Sequence, residues 1–296
     1  MNRNAAKLHC FCLLLSCWSF RICDGAPSLE ANYAEYAVMI TNALTTQFAS
    51  GFLLQASNSV YLVTARHVLF APVTNNARSY SLWSPCIECR SYHAYASTNT
   101  LPVAWQLDLA GLMAKREIRW STDHDVALVR MEDVVSTNRF SWSALPETIF
   151  ITSNKDVTGF AESRAVRFAR VPVPTSCYTL GFPSSIGVGD STQLDKSKPL
   201  MRKGIVAGIN DARGTFVLDC PVYAGDSGGP VVITDPYVDH FPVDYRFYVI
   251  GIQVEFVRVA WPADASRPLS RLNANIFNSG YSIAEPMDTV LDLLWK

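Results

Sequence analysis

Three features of the 296-residue sequence predict an all-β fold. Short apolar or alternating runs recur between residues 36 and 255, many of them separated by Gly, Pro, Asn or Asp, and helical spacing stands out only near the C-terminus. With 49% hydrophobic and 17% charged residues, the chain has the composition of a folded protein with a substantial core. Its length gives room for one large or two small globular units. A net charge of −1 and the lack of a basic run argue against a nucleic-acid partner.

The first 25 residues read as an export signal, and the expected localisation is secreted or periplasmic. Arg3 and Lys7 precede an apolar run over residues 8–20, too short to span a bilayer, which needs about 20 apolar residues. Cys23 and Gly25 are small enough for cleavage before Ala26, so no membrane span is expected once the leader is removed. A competing reading is that Leu14-Leu15-Ser16-Cys17 acts as a lipobox and lipidates Cys17, although Leu15 fits that pattern poorly. Cys86, Cys89, Cys177 and Cys220 remain beyond the leader, and four cysteines allow three pairings. Cys86–Cys89 with Cys177–Cys220 is the favoured set. A metal at Cys86, Cys89 and His93 lacks a fourth ligand, so the loop reads as structural and no metal or cofactor is expected.

Taken in order, the expected strands are 36–40, 51–54, 60–64, 125–131, 165–171, 177–180, 204–209, 215–218, 230–234 and 247–255. The final segment, 285–294, begins with Glu285-Pro286 and continues with apolar residues at helical spacing, which predicts a C-terminal helix. Segments 72–120 and 235–246 read as long insertions rimming a cleft.

Three stretches carry chemistry. In Tyr223-Ala224-Gly225-Asp226-Ser227-Gly228-Gly229-Pro230 the glycines let backbone N–H groups converge beside a hydroxyl, which suits attack on an acyl carbon and stabilisation of the resulting oxyanion. Upstream, Tyr61-Leu62-Val63-Thr64-Ala65-Arg66-His67 is an apolar strand ending at a base. Ser121-Thr122-Asp123-His124-Asp125-Val126-Ala127-Leu128 is a polar turn ending at an acid. A neutral imidazole takes the serine proton, and a carboxylate holds its tautomer.

Thr64-Ala65-Arg66-His67, Asp125-Val126-Ala127-Leu128 and Gly225-Asp226-Ser227-Gly228-Gly229-Pro230, in that order, resemble the chymotrypsin/trypsin-like serine peptidases. The resemblance spans about residues 35–296. It implies two six-stranded antiparallel β-barrels with a C-terminal helix, divided into 26–150 and 151–296, and a cleft between them. It also implies catalysis by His67, Asp125 and Ser227, with an oxyanion hole from the backbone N–H groups of Gly225 and Ser227. Asp123 is the nearest competitor for the acid, and Asp125 is preferred because it begins the Asp-Val-Ala-Leu match. His124 reads as a solvated turn residue.

Several positions depart from the family. Val68 stands where a cysteine often follows the histidine, Arg66 where a small residue is common, and no Ile-Val-Gly-Gly activation site follows the leader. Asp226 therefore lacks the liberated N-terminus with which it pairs in zymogen-activated relatives. These features are more similar to bacterial trypsin-like and HtrA-type peptidase domains than to digestive enzymes. Pro221 falls at the pocket floor, and Val254 and Phe256 at its wall, which implies cleavage of protein or peptide substrates after small or medium apolar residues. The competing function is that of a latent or inactive homologue acting as a binding module.

Overall fold

The computed structural model describes residues 33–42, 48–56, 59–73, 76–91, 103–131, 141–142, 148–152, 155–184, 195, 197–234, 247–260 and 276–295. The expected leader and the 235–246 insertion lie outside them. In the N-terminal half, strands β1 (Val38–Thr41), β2 (Phe48–Ala56) and β3 (Ser59–Thr64) lead into a single helical turn, α1 (Arg66–Leu69). A hairpin of β4 (Phe70–Val73) and β5 (Asn76–Leu82) follows. After it come β6 (Cys86–Ser91), β7 (Val103–Asp108), α2 (Leu109–Ala114), β8 (Ile118–Trp120) and β9 (Ala127–Arg130). Seven of these strands form one sheet in the order β7-β6-β1-β2-β3-β9-β8.

A small sheet of β10 (Ser141–Trp142), β11 (Thr148–Thr152) and β12 (Lys155–Thr158) precedes β13 (Phe160–Ala161), which pairs in parallel with β2. The C-terminal half contains β14 (Thr175–Gly181), β15 (Leu200–Asn210), β16 (Thr215–Asp219), β17 (Pro230–Thr234), β18 (Phe247–Ala260) and β19 (Ile276–Pro286), ending in α3 (Met287–Leu294). Its six strands close a barrel in the order β14-β15-β16-β19-β18-β17. Backbone pairing does not close the N-terminal sheet among the described residues. Instead α2 contacts both β6 and β8 and buries Leu109 and Leu112 in that half's core.

Three apolar clusters explain why the central strands read as unbroken hydrophobic runs. Side chains alternate across a strand, and here both faces are covered. In β3, Val60 and Leu62 enter the core of the N-terminal half, while Tyr61 and Val63 enter a second cluster shared with the C-terminal half. In β17, Val231 and Ile233 fill the closed barrel while Val232 joins the shared cluster. Phe160 sits in that shared layer, 4.8 Å from the Tyr36 ring and 5.5 Å from Phe52 by ring centroids. Pairing of Phe160–Ala161 with β2, followed by an Ala165–Val249 bridge, leads us to propose the change from one half to the other at 162–164 rather than at 150/151.

Several expectations are corrected. Residues 165–171 do not form a strand; they lie among 3-10 turns at Glu162–Arg164 and Phe168–Arg170. Ala165 and Arg167 keep extended backbone between the two turns, and Ala165 makes only an isolated bridge to Val249. Within segment 72–120, expected as an insertion, β6 and β7 belong to the N-terminal sheet, where β6 pairs with β1 and Ile87, Cys89, Val103 and Leu107 are buried. Strand β19 adds a pairing partner for β16 and β18 that was not anticipated.

The two expected disulfides are absent, since Cys86, Cys89, Cys177 and Cys220 are free thiols. Cys86 and Cys89 are three apart on β6, so they point to opposite faces. Cys177 and Cys220 are separated by β15. Cys177 is in register with Gly204, and a Cβ on Gly204 would lie 2.6 Å from that of Cys220. Two strand spacings are about 9.6 Å, beyond the ~7 Å limit on Cα separation for a disulfide. Burial, and then the neighbouring Cys220, pushes the Cys177 thiol up to about 12.

Candidate active site

His67 is delivered by the turn from β3 into α1. Thr64 Oγ1 donates to the Ser50 carbonyl at 2.7 Å, which fixes the end of β3, and the Arg66 N–H donates to the Asp125 carbonyl at 3.2 Å. Asp125 closes the turn into β9 and meets His67 twice. Its Oδ1 accepts the His67 backbone N–H at 3.0 Å, and its Oδ2 lies 2.5 Å from His67 Nδ1. This arrangement fixes the imidazole so that Nε2 is left for another partner. Burial raises the Asp125 pKa, but the His67 hydrogen bonds and charge and the Arg66 charge together lower it below its ordinary value of 3.8.

Two further residues, Arg66 and Glu285, brace this pair, and the sequence did not assign them roles. Arg66 Nη1 donates to the carbonyls of Ser121 at 2.5 Å and His124 at 3.0 Å, and its guanidinium carbon lies 4.5 Å from the Tyr80 ring centroid. The side chain that departs from the family pattern therefore clamps the turn carrying Asp125. Glu285, at the end of β19, is buried and accepts the Asp125 backbone N–H through Oε1 at 3.2 Å. Its Oε2 lies 2.8 Å from His124 Nδ1, so His124 is half-buried in a contact and not free in solvent. Asp123 is exposed and stands outside this arrangement.

Ser227 sits in the turn between β16 and β17. Gly225 has φ +100° and Gly228 φ +91°, left-handed conformations that a residue with Cβ adopts only under strain. A Cβ on Gly228 would also collide with the Ser50 carbonyl oxygen and with Thr64 Oγ1. Ser50, on β2, ties the halves together here. Its hydroxyl donates to the Gly225 carbonyl at 2.7 Å and accepts the Phe182 N–H at 2.9 Å, and its own N–H donates to the Ser227 carbonyl at 2.9 Å. Among the described residues, neither the Gly225 nor the Ser227 N–H donates to a backbone carbonyl. Asp226 turns inward and is fully buried, ion-paired with Arg202 of β15.

Ser227 and His67 line one cleft of about 510 Å³ together with Ile40, Phe48, Val68 and Trp83. Trp83 donates from Nε1 to the His67 carbonyl at 2.9 Å. No hydrogen bond joins Ser227 to His67 among the described contacts, and catalytic hydrogen bonds often tighten only when substrate binds. The expected pocket residues are less convergent. Val254 lines a separate groove with His67, Asp125 and Glu285, while Phe256 lies against Arg258 at 5.4 Å. Neither Pro221 nor Phe256 lines either cavity.

The profile of the family described as "Trypsin-like peptidase domain" matches residues 49–236, more than half of the chain and inclusive of all three motifs. No curated protein matches the sequence. Among solved structures, an HtrA-type protease, AlgW, in a serine-to-alanine variant with a tripeptide, aligns at 14% identity and TM-score 0.44, covering 88% of this chain and 60% of its own. A serine endoprotease from Yersinia pestis aligns at 13% and 0.42, covering 88% and 62%. Deg5 aligns at 14% and 0.46, covering 88% of each chain. The present chain thus spans about three fifths of the length of the first two. With a closed six-stranded barrel and a matching family profile, the chain belongs to the family of trypsin-like peptidase domains.

Proposed function

We propose that the protein is an active serine endopeptidase. Ser227 Oγ attacks the carbonyl of a peptide bond while His67 Nε2 takes the hydroxyl proton, and His67 then returns that proton to the leaving amine. Asp125 holds the imidazole in the required tautomer and stabilises the imidazolium. The Gly225 and Ser227 N–H groups receive the developing oxyanion, where losing one such donor typically costs about 3 kcal/mol. Water then hydrolyses the acyl-enzyme. The observation that carries this reading is the pair of His67–Asp125 contacts, at 3.0 and 2.5 Å, made by a histidine that shares a cleft with Ser227.

Substrates in this reading are proteins or peptides, cleaved after small or medium apolar residues. The support is that the described lining of the cleft holding Ser227 and His67 includes Ile40, Phe48, Val68 and Ile87 and no carboxylate that would pair with a Lys or Arg side chain. The N-terminal segment, 1–25, acts as an export signal; among the described residues no helix is long and apolar enough to cross a membrane.

The test is intact mass after incubation with a fluorophosphonate probe. One adduct on the parent and none on Ser227→Ala is expected. A folded parent that takes no adduct would favour the latent or inactive homologue.

A further inference from the structure

Asp226 precedes the nucleophile, yet its side chain points away from the cleft and is completely buried. Its Oδ2 accepts the Tyr223 N–H at 2.9 Å and receives Nη2 of Arg202, whose side chain keeps only 16% of its exposure. Arg202 stands on β15 in register with Thr179 of β14, and its guanidinium carbon lies 5.2 Å from the Tyr223 ring centroid. One arginine thus touches both ends of the turn from Tyr223 to Asp226, which is itself closed by the Asp226 N–H donating to the Tyr223 carbonyl at 3.0 Å. Within that turn lies Gly225.

The pair is poorly explained as a stabilising device. Asp226 Oδ1 and Arg202 Nε and Nη1 are buried without hydrogen-bond partners among the described residues. Buried ion pairs left partly unsatisfied commonly fail to recover their desolvation cost, whereas removing one partner strands the other charge. Burial raises Asp226 to about 6 even with Arg202 beside it. What the pair does supply is geometry: it fixes which way the 223–226 turn faces.

We infer that Arg202 is a positioning residue that holds the oxyanion turn open from inside the barrel by anchoring Asp226 and Tyr223. This rests on the reading of Ser227 as nucleophile. Charge compensation for Asp226 then comes from β15, so a liberated chain terminus is not required to order the turn.

The test compares the full chain with Arg202→Met, which keeps length but not charge, and with Arg202→Lys. Two quantities are read: fluorophosphonate inactivation kinetics, and amide hydrogen exchange of peptides covering 223–229. Arg202→Met is expected to lower the maximal inactivation rate on the order of 100-fold with little change in half-saturating probe concentration. Exchange in 223–229 is expected to rise while β16 and β17 stay protected, and Arg202→Lys should recover part of both effects. A folded Arg202→Met with the parent's rate and loop exchange overturns the inference. Arg202→Gln, neutral but still a donor, carries the same comparison if the methionine variant does not fold. Exchange reads the turn whether or not Ser227 reacts. A parent that takes no probe therefore contradicts the proposed activity, while loop exchange alone still decides the role of Arg202.

Discussion

At the scale of single residues, Asp125 is a point where several polar contacts converge. His67, Arg66 and Glu285 all address it, through side chain or backbone. Asp125→Asn keeps the shape but favours the wrong imidazole tautomer, and peptidase turnover is expected to fall about 10⁴-fold, measured as kcat on a cleaved peptide. The pH dependence of stability separates two acids. Asp125 has a folded pKa below its ordinary 3.8, so its contribution is present above that value and is lost as pH falls through the folded one. Asp226, raised to about 6, behaves oppositely: its contribution is complete below 3.8 and is lost as pH rises through about 6. Denaturation midpoints measured from pH 3 to 7 should show the acid-side loss shrink in Asp125→Asn; an unchanged profile would contradict the assignment.

At the scale of elements, α3 is held by the opposite half of the molecule. Arg119 on β8 donates through Nη1 to the carbonyls of Leu293 at 3.0 Å and Leu294 at 2.8 Å, two acceptors that the end of a helix leaves without partners. Arg119→Met is expected to cost roughly 1–3 kcal/mol, read from chemical denaturation; a loss below measurement error would show that water replaces the contact. Pro286 before the helix was legible in sequence, as were β3, β14 and β17, because short apolar or alternating runs bounded by turn residues specify them locally. Strands β6 and β7 were not. Their alternation, seen in Cys86–Ser91 and Val103–Asp108, carries charged residues and lies in a stretch rich in Ser, Tyr and Pro. The three motif stretches stood out in the sequence for the same local reason. Arg66, Glu285 and Arg202 were not, since each acts through a partner 24 to 160 positions away that only the folded chain brings near.

At the scale of the whole molecule, the cleft exists because a shared apolar layer fixes the two halves against each other. Phe52, Phe160, Leu180, Val249 and Met287 meet in that layer, and Ser50 links β2 of one half to the Ser227 turn of the other. His67 and Asp125 belong to the first half and Ser227 to the second, so their juxtaposition depends on how the halves pack. The most direct test of the central claim is mass-spectrometric mapping of a diverse peptide mixture incubated with the parent and with Ser227→Ala. Cleavage at internal peptide bonds by the parent, absent from Ser227→Ala and strongly reduced in His67→Ala, is the predicted result. A folded parent that leaves every peptide intact, or cleavage that persists in Ser227→Ala, would contradict it.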